Sequence, residues 1–159
     1  MKVLLGVLSL SLCAIIYIPG LQGDFLHDDI PNIIENDRLH INSLAFKSIL
    51  TASLSSDSGP LKRPISMLSF AINHYYSELN PFSYKLFNLI IHLVTGILLF
   101  SLSYLLLDSY EKLSQKNSKF FNKYYLSLLI ATAWLVSPIN LTAVLYIVQR
   151  MTSLSALFS

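Results

Sequence analysis

The run from Tyr84 to Leu107 restricts this chain more than any other feature. A helix that crosses the hydrocarbon core of a bilayer needs about 20 consecutive, mostly apolar residues. This run supplies them and is closed by Asp108. Val3–Ile18, stopped by Pro19 and Gly20, is a shorter candidate, and Tyr124–Val136, before Pro138, is a third. The fold class expected is an all-α integral membrane protein. Its spans lie at 3–19, 84–107 and 124–136, with a long outer loop at 20–82, a cytoplasmic loop at 108–123 and an outer segment at 139–150. The last residues, 151–159, read as the opening turns of a fourth span with no polar closure, so the chain is expected to be a piece of something longer. Composition agrees: only 13% of the residues are charged, against roughly 25% in ordinary soluble domains. A soluble domain so built would expose apolar patches that promote association, and a bilayer removes the conflict.

Lys2 followed by Val3–Ile18 also has the charged start and apolar core of a signal peptide. Tyr17, Pro19 and Leu21–Gly23 form no clean small-x-small cleavage pattern, and Leu12 stands where a lipoprotein signal before Cys13 wants a small residue. An uncleaved first helix is therefore expected. Orientation follows from the density of lysine and arginine near the spans. Lys112, Lys116, Lys119 and Lys123 crowd the loop 108–123, whereas Arg38, Lys47, Lys62 and Arg63 are spread over the much longer 20–82. The dense loop and the amino terminus are expected in the cytoplasm, and the long loop outside. A lone Cys13 excludes an internal disulfide and a cysteine-based zinc site, and reads as a buried thiol. A net charge of +2, with no basic patch interleaved with aromatics, argues against a nucleic-acid partner.

The outer loop has its own plan. Asp24–Asn36 is polar and, with Pro31, irregular. Ser43 can cap a short helix near 44–54. Ser55–Gly59 forms a turn ended by Pro60. Pro64 suits the first position of a helix over 64–79. Within it Ser66, Ser69, Asn73 and Ser77 recur at spacings of three and four and make a narrow polar stripe. That helix is expected along the membrane surface, broken by Asn80 and Pro81.

Asp28 and Asp29 stand just outside the first span. Adjacent carboxylates near a low-dielectric boundary are costly. They can hold a cation, act as a general base, or cap the loop. His27 beside them reads as solvated, and no further ligand stands at metal-binding spacing. Lys62 and Arg63 open the surface helix, and Arg150 follows the outer segment. Arginine makes paired hydrogen bonds to phosphate oxygens. Lys62 reads equally as a snorkelling anchor, whereas Arg150, between apolar segments, needs an anionic partner. Lys85, Asn88 and His92 share one helix face at i, i+3 and i+7, and polar groups inside a span face a bundle interior or a wet cavity. For Lys85 snorkelling is the plainer alternative, and for His92 helix packing. Asn140-Leu141-Thr142 matches a glycosylation sequon, a pattern common by chance. All these groups gather near the outer headgroup layer, the depth at which a lipid-phosphate substrate offers its reactive bond. A carboxylate there can take a proton from an incoming hydroxyl, and an arginine can hold the departing phosphate.

In their order and spacing, FLHDDIPNIIEN (Phe25–Asn36), GPLKRPISMLSFAINHYY (Gly59–Tyr76), NLIIHL (Asn88–Leu93) and SPINLTAVLYIVQRM (Ser137–Met151) resemble the amino-terminal region of GT-C fold glycosyltransferases. The nearest resemblance is to bacterial membrane proteins with carboxy-terminal tetratricopeptide repeats. These are similar in turn to the transmembrane and tetratricopeptide-repeat O-mannosyltransferases. The resemblance covers nearly the whole chain. It implies sugar transfer from a polyprenyl-phosphate donor to a protein or glycan hydroxyl on the outer side of a membrane, and the membrane expected for this chain is a bacterial inner membrane. It assigns Asp28 or Asp29 as catalytic base or metal-linked acid, which leaves room for a divalent cation. Arg63 and Arg150 match basic positions suited to the lipid phosphate, and His92 matches a polar position without a set role. The chain departs from the pattern at Ser137-Pro138, where relatives often have His-Pro, and at Asn140 and Thr142, where they carry histidine or glutamine and then an acidic or polar residue. The GT-C fold needs further helices, so these residues alone are expected to be inactive. The competing expectation is a non-enzymatic membrane protein: a transporter segment, an assembly partner or a decayed remnant.

Overall fold

The computed structural model describes residues 2–57, 62–114 and 122–157, and these contain helices and irregular segments with no strand among them. Helix α1 (Lys2–Tyr17) continues without a break into a 3₁₀ turn, Ile18–Gln22. Pro19 and Gly20 therefore tighten the first span instead of ending it. Proline lacks an amide donor, but near the start of a short 3₁₀ turn that donor is not needed. Lys2–Gln22 is 21 residues long and apolar enough to cross a membrane.

Helix α4 (Pro81–Ser114) holds the second such stretch, Pro81–Leu113. At 1.5 Å per residue it is about 50 Å long, so it overshoots a hydrocarbon core of about 30 Å. It also runs past Asp108, the residue expected to close it. That carboxylate is paired with Lys112 one turn on (2.7 Å) and with Lys123 of α5 (Lys123–Leu135), and Lys123 also reaches Glu111 at 3.2 Å. A neutralised aspartate costs the helix little. Lys116 and Lys119, part of the orientation argument, lie outside the described residues, as do Gly59 and Pro60.

Helix α5 has 13 residues, about 20 Å, and is too short to span alone. A 3₁₀ turn, Pro138–Asn140, leads into α6 (Leu141–Leu145), and the two arms meet at 49°. Taken together they are long and apolar enough for one broken span. The described residues thus hold two unbroken candidate spans, or three with this bent pair. The segment expected to lie outside at 139–150 is in part the second arm of that bend. A 3₁₀ turn, Ile147–Gln149, then feeds α7 (Arg150–Leu157).

In the outer loop, α2 (Phe46–Ser53) starts after Ala45 with no side-chain cap. Ser43, the expected cap, instead lies with its hydroxyl 3.3 Å from that of Ser48. Pro64 opens α3 (Pro64–Ser77) as its position predicts. Lys62 and Arg63 precede it in the left-handed region (φ 49° and 41°), and Glu78 (φ 51°) reverses the chain after it. Asn80 accepts the Phe82 amide at 3.1 Å at the start of α4. The polar stripe of α3 faces inward. Ser66 is buried, Ser69 meets Arg150 and Ser77 meets Ser83, while Ile65, Ile72, Tyr75 and Tyr76 are exposed.

Two apolar clusters hold these parts. Ile33, Leu39, Met67, Phe70, Tyr84 and Ile147 belong to the one that ties the outer loop to α4 and α7. Cys13, Tyr17, Leu21, Leu89, Leu135 and Val144 join α1 to α4, α5 and α6. Gly96 makes the second cluster possible, since a Cβ there would come within 2.5 Å of a Leu135 methyl. Leu4, Leu8, Ile15, Leu98, Leu102, Leu105 and Leu106 remain exposed on the outside of α1 and α4. Such a surface is intolerable in water and suited to lipid. The chain is an all-α integral membrane protein.

Candidate functional site at the outer end of the helices

The adjacent aspartates have opposite surroundings. Asp29 is 0% exposed. One carboxylate oxygen accepts the Leu26 amide (2.9 Å), and the other accepts the Val148 amide (2.7 Å) from 119 residues along the chain. Burial pushes its pKa above the usual carboxylate range, while the amides of Leu26, Val148 and Ile147 and the nearby Lys85 charge pull it back. Asp29 therefore latches the first outer loop to the turn before α7. Asp28 is exposed, and among the described residues its carboxylate has no partner. Its backbone amide donates to the Tyr146 hydroxyl at 3.0 Å, and Asn32 donates to its carbonyl at 2.8 Å. These bonds fix its position without occupying its carboxylate.

Arg150 is 0% exposed. Its guanidinium donates to Asn88 Oδ1 (2.7 Å), to the Tyr84 carbonyl (2.8 Å) and to Ser69 Oγ (3.2 Å). Phe70 and Phe87 stand 4.5 and 4.6 Å from it, with Tyr84 at 5.8 Å. The charge is thus met by carbonyl and amide dipoles and by ring faces, not by a carboxylate. Burial lowers its pKa to about 9, which leaves it cationic at neutral pH. Asn88 completes the arrangement by donating its amide toward the carbonyls of Val144, Tyr146 and Ile147 at 3.3–3.4 Å. Asp29, Asn88 and Arg150 together brace one 3₁₀ turn, and Arg150 presents no open surface to a ligand.

The stripe Lys85–Asn88–His92 faces the interior, as its spacing predicts, and all three are buried. Lys85 Nζ donates to the Gly23 carbonyl at 2.8 Å. It also lines an open cavity of about 340 Å³ with Gly20, Leu26, Thr142, Leu145 and Tyr146. Because Tyr146 accepts from Asp28, its own hydroxyl hydrogen is available elsewhere. Lys85 and Tyr146 thus give this mouth hydrogen-bond donors, and Tyr146 also fixes the backbone of the exposed Asp28. His92 lies deeper, donating from Nε2 to the Leu135 carbonyl (2.9 Å) between the rings of Tyr17 and Trp134. Arg63 is exposed and directs a guanidinium nitrogen to Met151 Sδ at 3.1 Å, on the α7 side. The structure ties the backbone of Asp28 to Tyr146 at that mouth, but it does not bring Arg63 or Arg150 there.

Neither Lys85 nor Tyr146 stood out as a reactive group in the sequence. Lys85 reads there as a snorkelling side chain, and Tyr146 is one of several tyrosines. The available signal was the polar face shared by Lys85, Asn88 and His92. The Phe70–Tyr84–Phe87 box around Arg150 had no signal, because it draws on two helices. A divalent cation is not supported by the residues present. No group of three or more His, Cys, Asp or Glu gathers among the described residues, and both Asp29 oxygens are already held by amides.

Curated relatives are protein O-mannosyl-transferases. Protein O-mannosyl-transferase TMTC3 of Mus musculus is 30% identical over 156 residues, which is 95% of this chain and 15% of the relative. Protein O-mannosyl-transferase TMTC2 of Homo sapiens is 35% identical over 114 residues, 65% of this chain and 13% of the relative. Protein O-mannosyl-transferase F38B6.6 of Caenorhabditis elegans is 24% identical over 158 residues, 96% of this chain and 21% of the relative. The chain therefore spans about a seventh of the length of the first of these and about a fifth of the last. No family model matches it, and no solved structure does.

Proposed function

We propose, for a chain homologous to protein O-mannosyl-transferases, that it forms the amino-terminal part of a GT-C-type membrane enzyme. The complete protein moves mannose from a polyprenyl-phosphate donor to a protein hydroxyl on the outer side of the membrane. The observation that carries this reading is the mouth lined by Lys85 and Tyr146, where the Tyr146 hydroxyl holds the backbone of Asp28, whose carboxylate is exposed. The amino terminus lies in the cytoplasm, and the loop holding Asp28 lies outside.

The chemistry follows from these groups. The acceptor oxygen attacks the anomeric carbon of the donor. A carbon–oxygen bond forms there as the bond from that carbon to the phosphate oxygen breaks. Asp28 takes the acceptor proton, and polyprenyl phosphate leaves with its charge held by Lys85 and Tyr146. Asp29 and Arg150 keep the loop, α4 and α7 in register, so they position the site without touching substrate. Arg63, exposed on the α7 side, is available to a second part of the lipid-phosphate donor.

The test is mannose transfer by the full-length product in membrane vesicles supplied with a polyprenyl-phosphate mannose donor. Asp28→Asn should lower transfer by about 10²- to 10⁴-fold, the usual weight of a general base, with thermal stability unchanged. Transfer within threefold of the parent would remove Asp28 as the base.

A further inference from the structure

Lys85 is 3% exposed, and among the described residues no carboxylate forms an ion pair with it. Among those residues its ammonium has one hydrogen bond, to the Gly23 carbonyl at 2.8 Å. A lysine ammonium carries three donors, so two remain for the mouth that it lines with Thr142 and Tyr146. A buried cation without a counter-ion is costly, and an anion relieves that cost. Where the cation stands is decided by the residue that takes its remaining bond.

The backbone does not call for glycine at position 23. It is extended there, with φ −71° and ψ 159°, a conformation open to any residue. The requirement is one of space. A Cβ on Gly23 would lie 2.9 Å from Lys85 Nζ, inside the ~3.5–4.0 Å at which nonbonded heavy atoms rest. Its neighbour is the tip of a flexible stem, so a methyl group would leave the fold intact and push the ammonium off the carbonyl. Gly20, three residues earlier, accepts the Gly23 amide at 3.4 Å. A Cβ on Gly20 would collide with the Leu145 side chain. Leu145 and Lys85 both line the mouth, so the bare end of the first span sets both an apolar wall of the mouth and the place of its cation.

We propose that Gly23 is a positioning residue: its carbonyl and its missing side chain seat the Lys85 ammonium at the mouth, where it meets the phosphate of a lipid-linked donor. The role toward the donor rests on the placement of that phosphate at the mouth given above. The seating of the ammonium rests on the geometry alone.

The experiment compares Gly23→Ala, Lys85→Met and the double variant in the full-length protein, in membrane vesicles supplied with a polyprenyl-phosphate mannose donor. Gly23→Ala should raise KM for the donor about two- to tenfold, the effect of one misplaced hydrogen-bond donor, with kcat within about twofold of the parent. In the Lys85→Met background the same change should raise KM no further, because the ammonium it displaces is gone. A merely structural role would act equally in both backgrounds. An equal rise with and without Lys85 overturns the proposal, and so does an unchanged KM in Gly23→Ala when Lys85→Met raises it. If Lys85→Met itself leaves KM unchanged, the phosphate is removed from the mouth, and the seat is judged separately. Acylation of Lys85 in the detergent-solubilised protein, followed by mass spectrometry, should then be faster in Gly23→Ala than in the parent. Equal rates would remove the seat as well.

Discussion

Replacing Arg150 by lysine keeps the positive charge and removes the planar fork. The guanidinium reaches three acceptors in different directions, Asn88 Oδ1 at 2.7 Å, the Tyr84 carbonyl at 2.8 Å and Ser69 Oγ at 3.2 Å. An ammonium on a lysine stem can satisfy one of them well. Two charge-assisted hydrogen bonds are then lost, at about 1.5–3 kcal/mol each. The stacked position between Phe70 and Phe87, at 4.5 and 4.6 Å, is lost as well, at about 1–2 kcal/mol for a desolvated cation. The total is about 4–8 kcal/mol, against a whole stability of about 5–15 kcal/mol for ordinary domains. Thermal unfolding of the purified chain in detergent, followed by Trp134 fluorescence, should show Arg150→Lys melting at least about 8 °C below the parent, at roughly 2–4 °C per kcal/mol. A variant melting within about 2 °C would refute the view that this guanidinium holds the outer end together.

Three further outcomes are expected. Lys85→Met keeps the stem but removes the cation from the mouth, so the complete protein should bind its polyprenyl-phosphate donor about tenfold or more weakly; an unchanged KM for donor would exclude Lys85. Asp29→Asn sets an amide NH₂ against the Leu26 or Val148 amide and should cost about 1–3 kcal/mol. Because the Asp29 pKa is raised in the folded chain, the parent should lose stability as pH rises from the ordinary value of 3.8 through the raised one, and the variant should lack that slope in Tm against pH. His74 stacks on His40 (centroids 4.3 Å), with Asp37 beside His40 and Glu78 near His74, and burial and the His40 charge lower its pKa below 6.5. Its stability contribution is complete above pH 6.5 and is lost as pH falls through the lowered value. His74→Gln should flatten that part of the profile, and an identical acid limb in parent and variant would exclude it.

How far the sequence could be read depends on the range of each determinant. The membrane helices were legible because hydropathy is a local, additive property: Val3–Ile18 and Tyr84–Leu107 declare themselves without knowledge of their neighbours. Where they end was less legible. Asp108 was expected to stop α4, but Lys112 one turn on and Lys123 from the next helix neutralise it, and no local pattern shows the second of these partners. α1 ends at Tyr17, just before Pro19 as expected, but a 3₁₀ turn carries the first span on to Gln22. The inward face of Lys85, Asn88 and His92 followed from helical spacing alone. The division between Asp28 and Asp29 did not, because it is made by the Val148 amide and the Tyr146 hydroxyl from a distant segment. Arg150 was expected to need an anionic partner, but its partners are the Tyr84 carbonyl, the Asn88 amide oxygen, the Ser69 hydroxyl and ring faces.

The proposed reaction requires Asp28 to face the outside of the membrane while the start of α5 faces the cytoplasm. In a Cys13→Ser background, which removes the single native thiol, intact cells carrying full-length Asp28→Cys or Asn122→Cys can be treated with a membrane-impermeant maleimide. Position 28 should be labelled at once and position 122 only after permeabilisation. Labelling of position 122 alone in intact cells, or of both positions from the same side, would contradict the placement of the reaction on the outer surface.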